Sequence, residues 1–184
     1  MKKWGYLIIF SFIFTLLLAG YKTFLSLTHP IKFQLEIIDI SAKYDLDPTI
    51  IASVINVESS YDVDAVSSKN ALGLMQIKLS TAQYMNDYYG IDTILVGEED
   101  LLKPLTNIEY GCMYIRYLLN KFDNIETSLC AYNAGETRVR VWLRDNQYSK
   151  DGKTLNYVPY QETNNYIKKI KNNIKFYKDV YKNF

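Results

Sequence analysis

Glu58 is the residue whose type and position in this sequence point most directly to chemistry. It ends an apolar helical pattern in which Ile51, Val54 and Ile55 recur at helical spacing, and it lies four residues after Val54. A carboxyl group on that face is removed from water, which disfavours its charged form and raises its pKa. An acid that stays protonated near neutral pH can donate a proton to a leaving group.

The element that positions Glu58 has a clear beginning in the sequence. Asp47 can cap a helix, and Pro48 fits its first position, where a missing N–H costs nothing. An isolated glutamate near a helix end is most often solvated or paired. The assignment of Glu58 as an acid therefore depends on the segments that follow the helix.

Residues 71–77, Ala-Leu-Gly-Leu-Met-Gln-Ile, follow a polar, turn-like stretch at residues 62–70. Gly73 predicts a close approach of the backbone to a ligand or a neighbour. Gln76 is an amide among apolar residues and needs a hydrogen-bond partner. The pattern predicts that this segment folds back toward the helix of Glu58.

The rest of the domain shows helical spacing and no convincing strand alternation, so we predict a mostly α fold. Gly90 and Gly135 are placed to end helices, and Thr106-Asn-Ile-Glu109 predicts a capping box that opens another helix. Residues 145–159 are polar and predict a loop. A final helix is predicted from the spacing of Ile167, Ile170, Ile174, Tyr177 and Tyr181.

Five short motifs occur in the order typical of the soluble-lytic-transglycosylase-type domain, in the goose-type lysozyme-like group. They are Glu58-Ser-Ser-Tyr61, Ala65-Val-Ser67, Ala71-Leu-Gly-Leu-Met-Gln-Ile77, Ala131-Tyr-Asn-Ala-Gly135, and Pro159-Tyr-Gln-Glu-Thr163 with Tyr166. The chain resembles this family from about residue 31 to residue 181, and departs from it at Leu79 and Asn164, where the family usually has Pro and Arg. The resemblance implies a lysozyme-like helical domain with a substrate cleft, here preceded by an N-terminal hydrophobic helix.

The same resemblance implies a peptidoglycan lytic transglycosylase. Such an enzyme cleaves the MurNAc-GlcNAc β-1,4 bond without water and leaves 1,6-anhydro-MurNAc ends, with Glu58 acting first as acid and then as base. The other motif residues are expected to bind substrate or support the acid: Ser67, Met75, Gln76, Tyr132, Asn133, Glu162 and Tyr166. Structural roles stay open for Ser67 as a turn hydroxyl, for Met75 and Tyr166 as core residues and for Asn133 at a helix end.

Two other functions remain open from the sequence. A hydrolytic muramidase would need a second carboxylate to hold a water molecule, and Asp62 or Asp64 could serve, although both lie in the polar turn. A non-catalytic cell-wall-binding module is the other alternative. The presence of both Glu58 and the tyrosine motif argues against it.

Residues 1–27 predict a signal anchor or signal peptide, and residues 28–184 the catalytic domain. Lys2 and Lys3 precede the uncharged run from residue 6 to residue 20, which is short for a membrane span but is extended by residues 24–27. No small-x-small cleavage site is obvious, so we favour an anchor. Lysines on the N-terminal side predict that the domain lies outside the cytoplasm, in the cell envelope.

The composition of the chain limits the classes of ligand and partner that it is expected to bind. The net charge of +1 gives no support for nucleic-acid binding. Cys112 and Cys130 make no zinc spacing with the single His29, and their apolar helical settings predict buried free thiols. A disulfide between them is also allowed outside the cytoplasm, and the sequence does not decide whether they pair. No phosphate loop or nucleotide motif is visible, so we expect neither a metal nor a cofactor. The expected partners of a monomer are peptidoglycan glycan strands and, through the N-terminal segment, the membrane.

Overall fold

The computed structural model describes residues 2–28, 31–91 and 96–181 of the 184-residue chain. The mostly α fold is confirmed. In chain order the elements are α1 (Lys2–Thr28), α2 (Gln34–Lys43), α3 (Pro48–Ser59), β1 (Ala71–Leu72), β2 (Ile77–Lys78), α4 (Leu79–Tyr89), α5 (Glu98–Leu101), α6 (Pro104–Phe122), α7 (Ile125–Ala134), α8 (Glu136–Leu143) and α9 (Gln161–Val180).

The expectation that the chain has no strands was wrong in one place. β1 and β2 form an antiparallel hairpin that pairs Ala71 with Lys78 and Leu72 with Ile77. Strands of two residues are too short for alternation to be visible in a sequence. Leu79 then occupies the first position of α4, where the family's usual Pro would also fit, so this departure leaves the helix intact.

α3 is a core helix whose last turn carries Glu58. The Asp47 carboxylate accepts a hydrogen bond from the Thr49 backbone N–H at 2.9 Å, and Pro48 opens the helix, as predicted. Ile51, Val54 and Ile55 are fully buried, and α3 packs mainly against α9 and α2. Burial of this apolar face is the main contribution of α3 to folding, because each fully buried side chain is worth about 1.5–3 kcal/mol.

Most of the described side chains of α1 are exposed, and the helix contains one stretch, Tyr6–Leu25, that is long and apolar enough to cross a membrane. A cleaved signal sequence would pass the same test, so the choice between anchor and signal peptide stays a prediction. The predicted boundary at residues 27 and 28 falls at the end of α1. His29 lies outside the described residues.

Asn107 is a fully buried side chain that fixes the hairpin to α6. Its Nδ2 donates to the carbonyls of Leu72 at 2.8 Å and Leu101 at 2.6 Å, and its Oδ1 accepts from the Met75 backbone N–H at 2.7 Å. The predicted capping box was wrong, because α6 begins at Pro104 and its first turn carries Asn107 into the core.

Gly73 lies directly against this amide, as the close approach predicted from the sequence requires. Its φ is +68°, and a Cβ atom there would stand 2.6 Å from Asn107 Nδ2 and 2.7 Å from the Leu101 carbonyl oxygen. A side chain at residue 73 would therefore be strained and would displace the backbone of the hairpin.

We predict that Asn107→Ala lowers the free energy of unfolding by about 3 kcal/mol or more, because it leaves several buried backbone groups without partners. Asn120→Ala is the matched control, since Asn120 is exposed on the same helix and should change stability by less than about 0.5 kcal/mol. Denaturant unfolding of the full chain in detergent measures both values. Equal stability of the two variants would contradict the role given to Asn107.

Candidate active site

Glu58 lies at the floor of a cleft with a volume of about 520 Å³. The cleft is lined by the β1–β2 hairpin with its preceding turn and by the α7–α8 junction. Thr81, Tyr114 and Glu162 also belong to the lining. α3 ends directly after Glu58, because Ser60 takes a left-handed conformation with φ of 53°. The carboxyl group is therefore held at the end of the core helix and lines the cleft.

Burial raises the pKa of Glu58 from its ordinary value of 4.5 to about 7. Removal from water is the largest cause, because it disfavours the charged carboxylate. Two neighbours on α9 act in opposite directions: the Tyr166 hydroxyl lowers the pKa of Glu58, and the negative charge of Glu162 raises it. Near neutral pH a large fraction of Glu58 is consequently protonated.

Two tyrosines from distant helices lie close enough to Glu58 for its charge to raise their pKa values, although burial is the larger cause. The Tyr132 hydroxyl donates to the Met75 carbonyl at 2.6 Å, which fixes its ring against the hairpin. The buried Tyr166 hydroxyl has no hydrogen-bond partner of normal geometry among the described residues. Tyr166 is thus a donor left available beside the carboxyl group.

Gln76 has the hydrogen-bond partners that its apolar surroundings demand. Its Nε2 donates to the carbonyls of Ala65 at 3.1 Å and Gly73 at 3.0 Å, and the residue lines the cleft. Its φ of 51° is unusual for a residue with a side chain. These two bonds hold the amide in place, so its oxygen remains available to a ligand.

The structure corrects the expectation for Met75. Its side chain is fully buried and packs against Gly111, where a Cβ atom would stand 2.1 Å from the Met75 sulfur. It therefore belongs to the core and does not line the cleft with its side chain. Its backbone still serves the site, through the carbonyl that accepts from Tyr132 and the N–H that donates to Asn107.

Ser67 lines the cleft and also closes a turn. Its Oγ accepts from the backbone N–H groups of Ala71 at 3.0 Å and Lys69 at 3.3 Å. Asn133 also lines the cleft, and its Oδ1 accepts from the Thr163 hydroxyl at 2.8 Å. This bond ties the end of α7 to the first turn of α9, beside Glu162.

Several cleft residues were not predicted from the sequence: Thr81, Tyr114, Lys69, Lys78 and Arg138. Tyr114 lies inside α6 and packs on the Tyr132 ring with 5.3 Å between ring centroids, and no local pattern distinguishes it from a core residue. Asp62 and Asp64 are exposed and do not line the cleft.

Cys112 and Cys130 are free and buried, as predicted. Burial raises the pKa of Cys130 to about 12 and raises that of Cys112 as well. Thiols with such raised pKa values are poor nucleophiles at neutral pH, because only the thiolate reacts.

Comparisons with known proteins agree with this architecture. The transglycosylase SLT domain family matches residues 36–156, which leaves the last motif, around Glu162 and Tyr166, outside the matched range. The solved structure of the 70-kDa soluble lytic transglycosylase of Escherichia coli is 26% identical, with a TM-score of 0.72, and the match covers 84% of this chain and 25% of that one.

Relatives in sequence include the soluble lytic murein transglycosylase of Salmonella typhimurium, 31% identical over 145 residues, and the membrane-bound lytic murein transglycosylase E of Buchnera aphidicola, 39% identical over 106 residues. The first match covers 76% of this chain and 22% of the relative, and the second 55% and 46%. The chain therefore spans about a fifth of the soluble relative. By the extent of the family match, this chain belongs to the transglycosylase SLT domain family.

Proposed function

We propose that this chain is a peptidoglycan lytic transglycosylase of the cell envelope with Glu58 as its acid. The observation that carries the proposal is the position of Glu58, a largely buried carboxyl group with a pKa of about 7 at the floor of a cleft. The names of its relatives, which are lytic murein transglycosylases, support the same substrate.

In the proposed reaction Glu58 donates its proton to the glycosidic oxygen between MurNAc and GlcNAc. The C1–O bond breaks, GlcNAc leaves with a new hydroxyl group, and the N-acetyl carbonyl of the muramoyl residue stabilises the electron-poor C1. The C6 hydroxyl of the same muramoyl residue attacks C1 and gives its proton to the Glu58 carboxylate. The product is a 1,6-anhydro end, Glu58 is protonated again, and no water is consumed.

This reaction needs only one acid–base group, because the nucleophile is already part of the bound sugar. Asp62 and Asp64, the candidate water-holding carboxylates of a hydrolase, are exposed and outside the cleft lining, which favours the transglycosylase. Glu162 is the second carboxylate that lines the cleft within the described residues. We assign it the task of keeping Glu58 protonated through the repulsion of its charge.

The remaining residues receive supporting roles. Tyr166 is proposed to donate to Glu58 once the carboxylate forms, since its hydroxyl is buried beside it without another partner of normal geometry in the described structure. Tyr132 walls the site. Gln76, Ser67 and Asn133 are proposed to hold the sugars from the two sides of the cleft.

We propose that residues 1–27 anchor the enzyme in the membrane and that residues 28–184 form the catalytic domain outside the cytoplasm. The length and apolar character of Tyr6–Leu25 support this, as do the two lysines before it. Two similar relatives are described as membrane-bound transglycosylases. This placement would bring the cleft to a wall substrate.

Mass spectrometry of digested peptidoglycan tests the reaction. The wild-type chain should release products with 1,6-anhydro-MurNAc ends, and Glu58→Gln should slow their release by about 10²–10⁴-fold or more, as expected for loss of a general acid. Products with reducing ends would instead identify a hydrolase. Glu98→Gln, which changes an exposed glutamate, is the matched control and should keep full activity.

The pH dependence of activity tests the two neighbours on α9. Activity should fall as pH rises through about 7, because Glu58 must start protonated. Tyr166→Phe removes an influence that lowers the pKa of Glu58, so the midpoint of this fall should move to higher pH. Glu162→Gln removes an influence that raises it, so the midpoint should move to lower pH. Profiles of kcat/KM on soluble strands measure both, and unchanged midpoints would contradict these roles.

The raised pKa of Glu58 should also make the free energy of unfolding depend on pH. The folded state holds the Glu58 proton up to about pH 7, whereas the unfolded state releases it near 4.5. The free energy of unfolding of the wild type should therefore fall relative to that of Glu58→Gln as pH rises from about 4.5 to about 7, by roughly 3–4 kcal/mol at most, since one pKa unit is worth about 1.4 kcal/mol. Parallel stability curves in denaturant would show that Glu58 is not desolvated.

A further inference from the structure

Three cationic side chains line the same cleft, and none of them is part of the five motifs. Lys69 lies in the turn before β1, Lys78 lies at the end of β2, and Arg138 lies in α8. Lys69 and Lys78 belong to one wall, because Lys78 pairs with Ala71 across the hairpin. The three cations therefore line the same cleft as Glu58.

These charges are not neutralised by the protein. None of the three forms an ion pair with a carboxylate among the residues that the structure describes. The neighbouring carboxylate of Glu136 is already bound to Arg140 at 2.7 Å. Arg138 is held over the Tyr160 ring, 5.0 Å from its centroid, and donates one hydrogen bond to the Ala134 carbonyl at 3.2 Å, which leaves most of its N–H groups available.

The charge of the cleft is consequently positive when Glu58 is protonated. Three cations then face one carboxylate, that of Glu162, whereas the chain as a whole has a net charge of only +1. A cleft with an excess of unpaired cations attracts an anionic ligand.

We propose that Lys69, Lys78 and Arg138 form a cationic rim that binds carboxylates carried by the muramoyl residues of the glycan strand. The inference rests on the proposed function. A muramoyl residue bears a lactyl group whose carboxyl is either free or extended by a peptide that itself ends in carboxylates, and a chitin-like strand bears neither. The rim therefore selects charged peptidoglycan over a neutral glycan with the same backbone.

Binding to the full-length Glu58→Gln chain in detergent tests the rim without turnover. The ligands are peptide-bearing strands, strands stripped of peptide with free lactyl carboxylates, and both after conversion of their carboxylates to amides. Lys69→Gln with Lys78→Gln should weaken binding of charged strands by about 2- to 10-fold, and Arg138→Gln by about 2- to 5-fold, as expected for exposed ion pairs. Amidated strands should bind all variants equally.

Matched controls remove the same charge elsewhere. Lys168→Gln with Lys175→Gln, on α9, and Arg144→Gln, at the end of α8, change exposed cations outside the cleft lining and should leave binding unchanged. Added salt should weaken binding of the parent more than that of the rim variants. A loss for only peptide-bearing strands identifies the peptide as the source of the carboxylate, and a loss for stripped strands identifies the lactyl group.

Two results would overturn the rim. In the first, the rim variants bind charged strands as tightly as the parent does. In the second, they lose as much affinity for amidated strands as for charged strands. Failure of the proposed function is distinguishable, because it would appear as wild-type digests without 1,6-anhydro ends, whatever the binding data show.

Discussion

The removal of one carboxyl group from water is the physical constraint on which the rest of this structure depends. Glu58 is placed at the last turn of a core helix, so its environment is set by the packing of α3 rather than by a local turn. Burial is the largest cause of its raised pKa. Tyr166 and Glu162, which shift the pKa of Glu58 in opposite directions, both lie on α9. The position of Glu58 on α3 thus sets its pKa through burial, and α9 modifies it.

The geometry of the cleft depends in turn on a few buried polar contacts. Asn107 satisfies three backbone groups around the β1–β2 hairpin, and Gly73 allows the close approach that these bonds require. The Met75 carbonyl then accepts from Tyr132. A continuous set of hydrogen bonds thus joins α6, the hairpin and α7, which keeps the cleft wall and the tyrosine beside Glu58 in register.

The proposed chemistry and the proposed recognition use different charged groups of the same cleft. Glu58 must be uncharged to act as the proposed acid, and burial and the charge of Glu162 both raise its pKa. The cations of the proposed rim lie at exposed positions of the cleft lining, where they are accessible to a ligand and where water screens their charges. This separation allows an anionic strand to be attracted without the Glu58 carboxyl being ionised by a neighbouring cation.

The sequence by itself determined the mostly helical fold, the Asp47 cap of α3 and the burial of the α3 face, because helical periodicity and capping are carried by residues close together in the chain. It also identified Glu58 as the candidate acid. It could not decide the two-residue strands, the inward position of Asn107 or the burial of Met75. A short motif does not reveal which of its side chains faces a core and which a cleft. Those outcomes were decided by tertiary contacts between residues 32 to 57 positions apart, such as Met75 with Asn107 and with Tyr132, because only packing of distant helices determines which groups lose water.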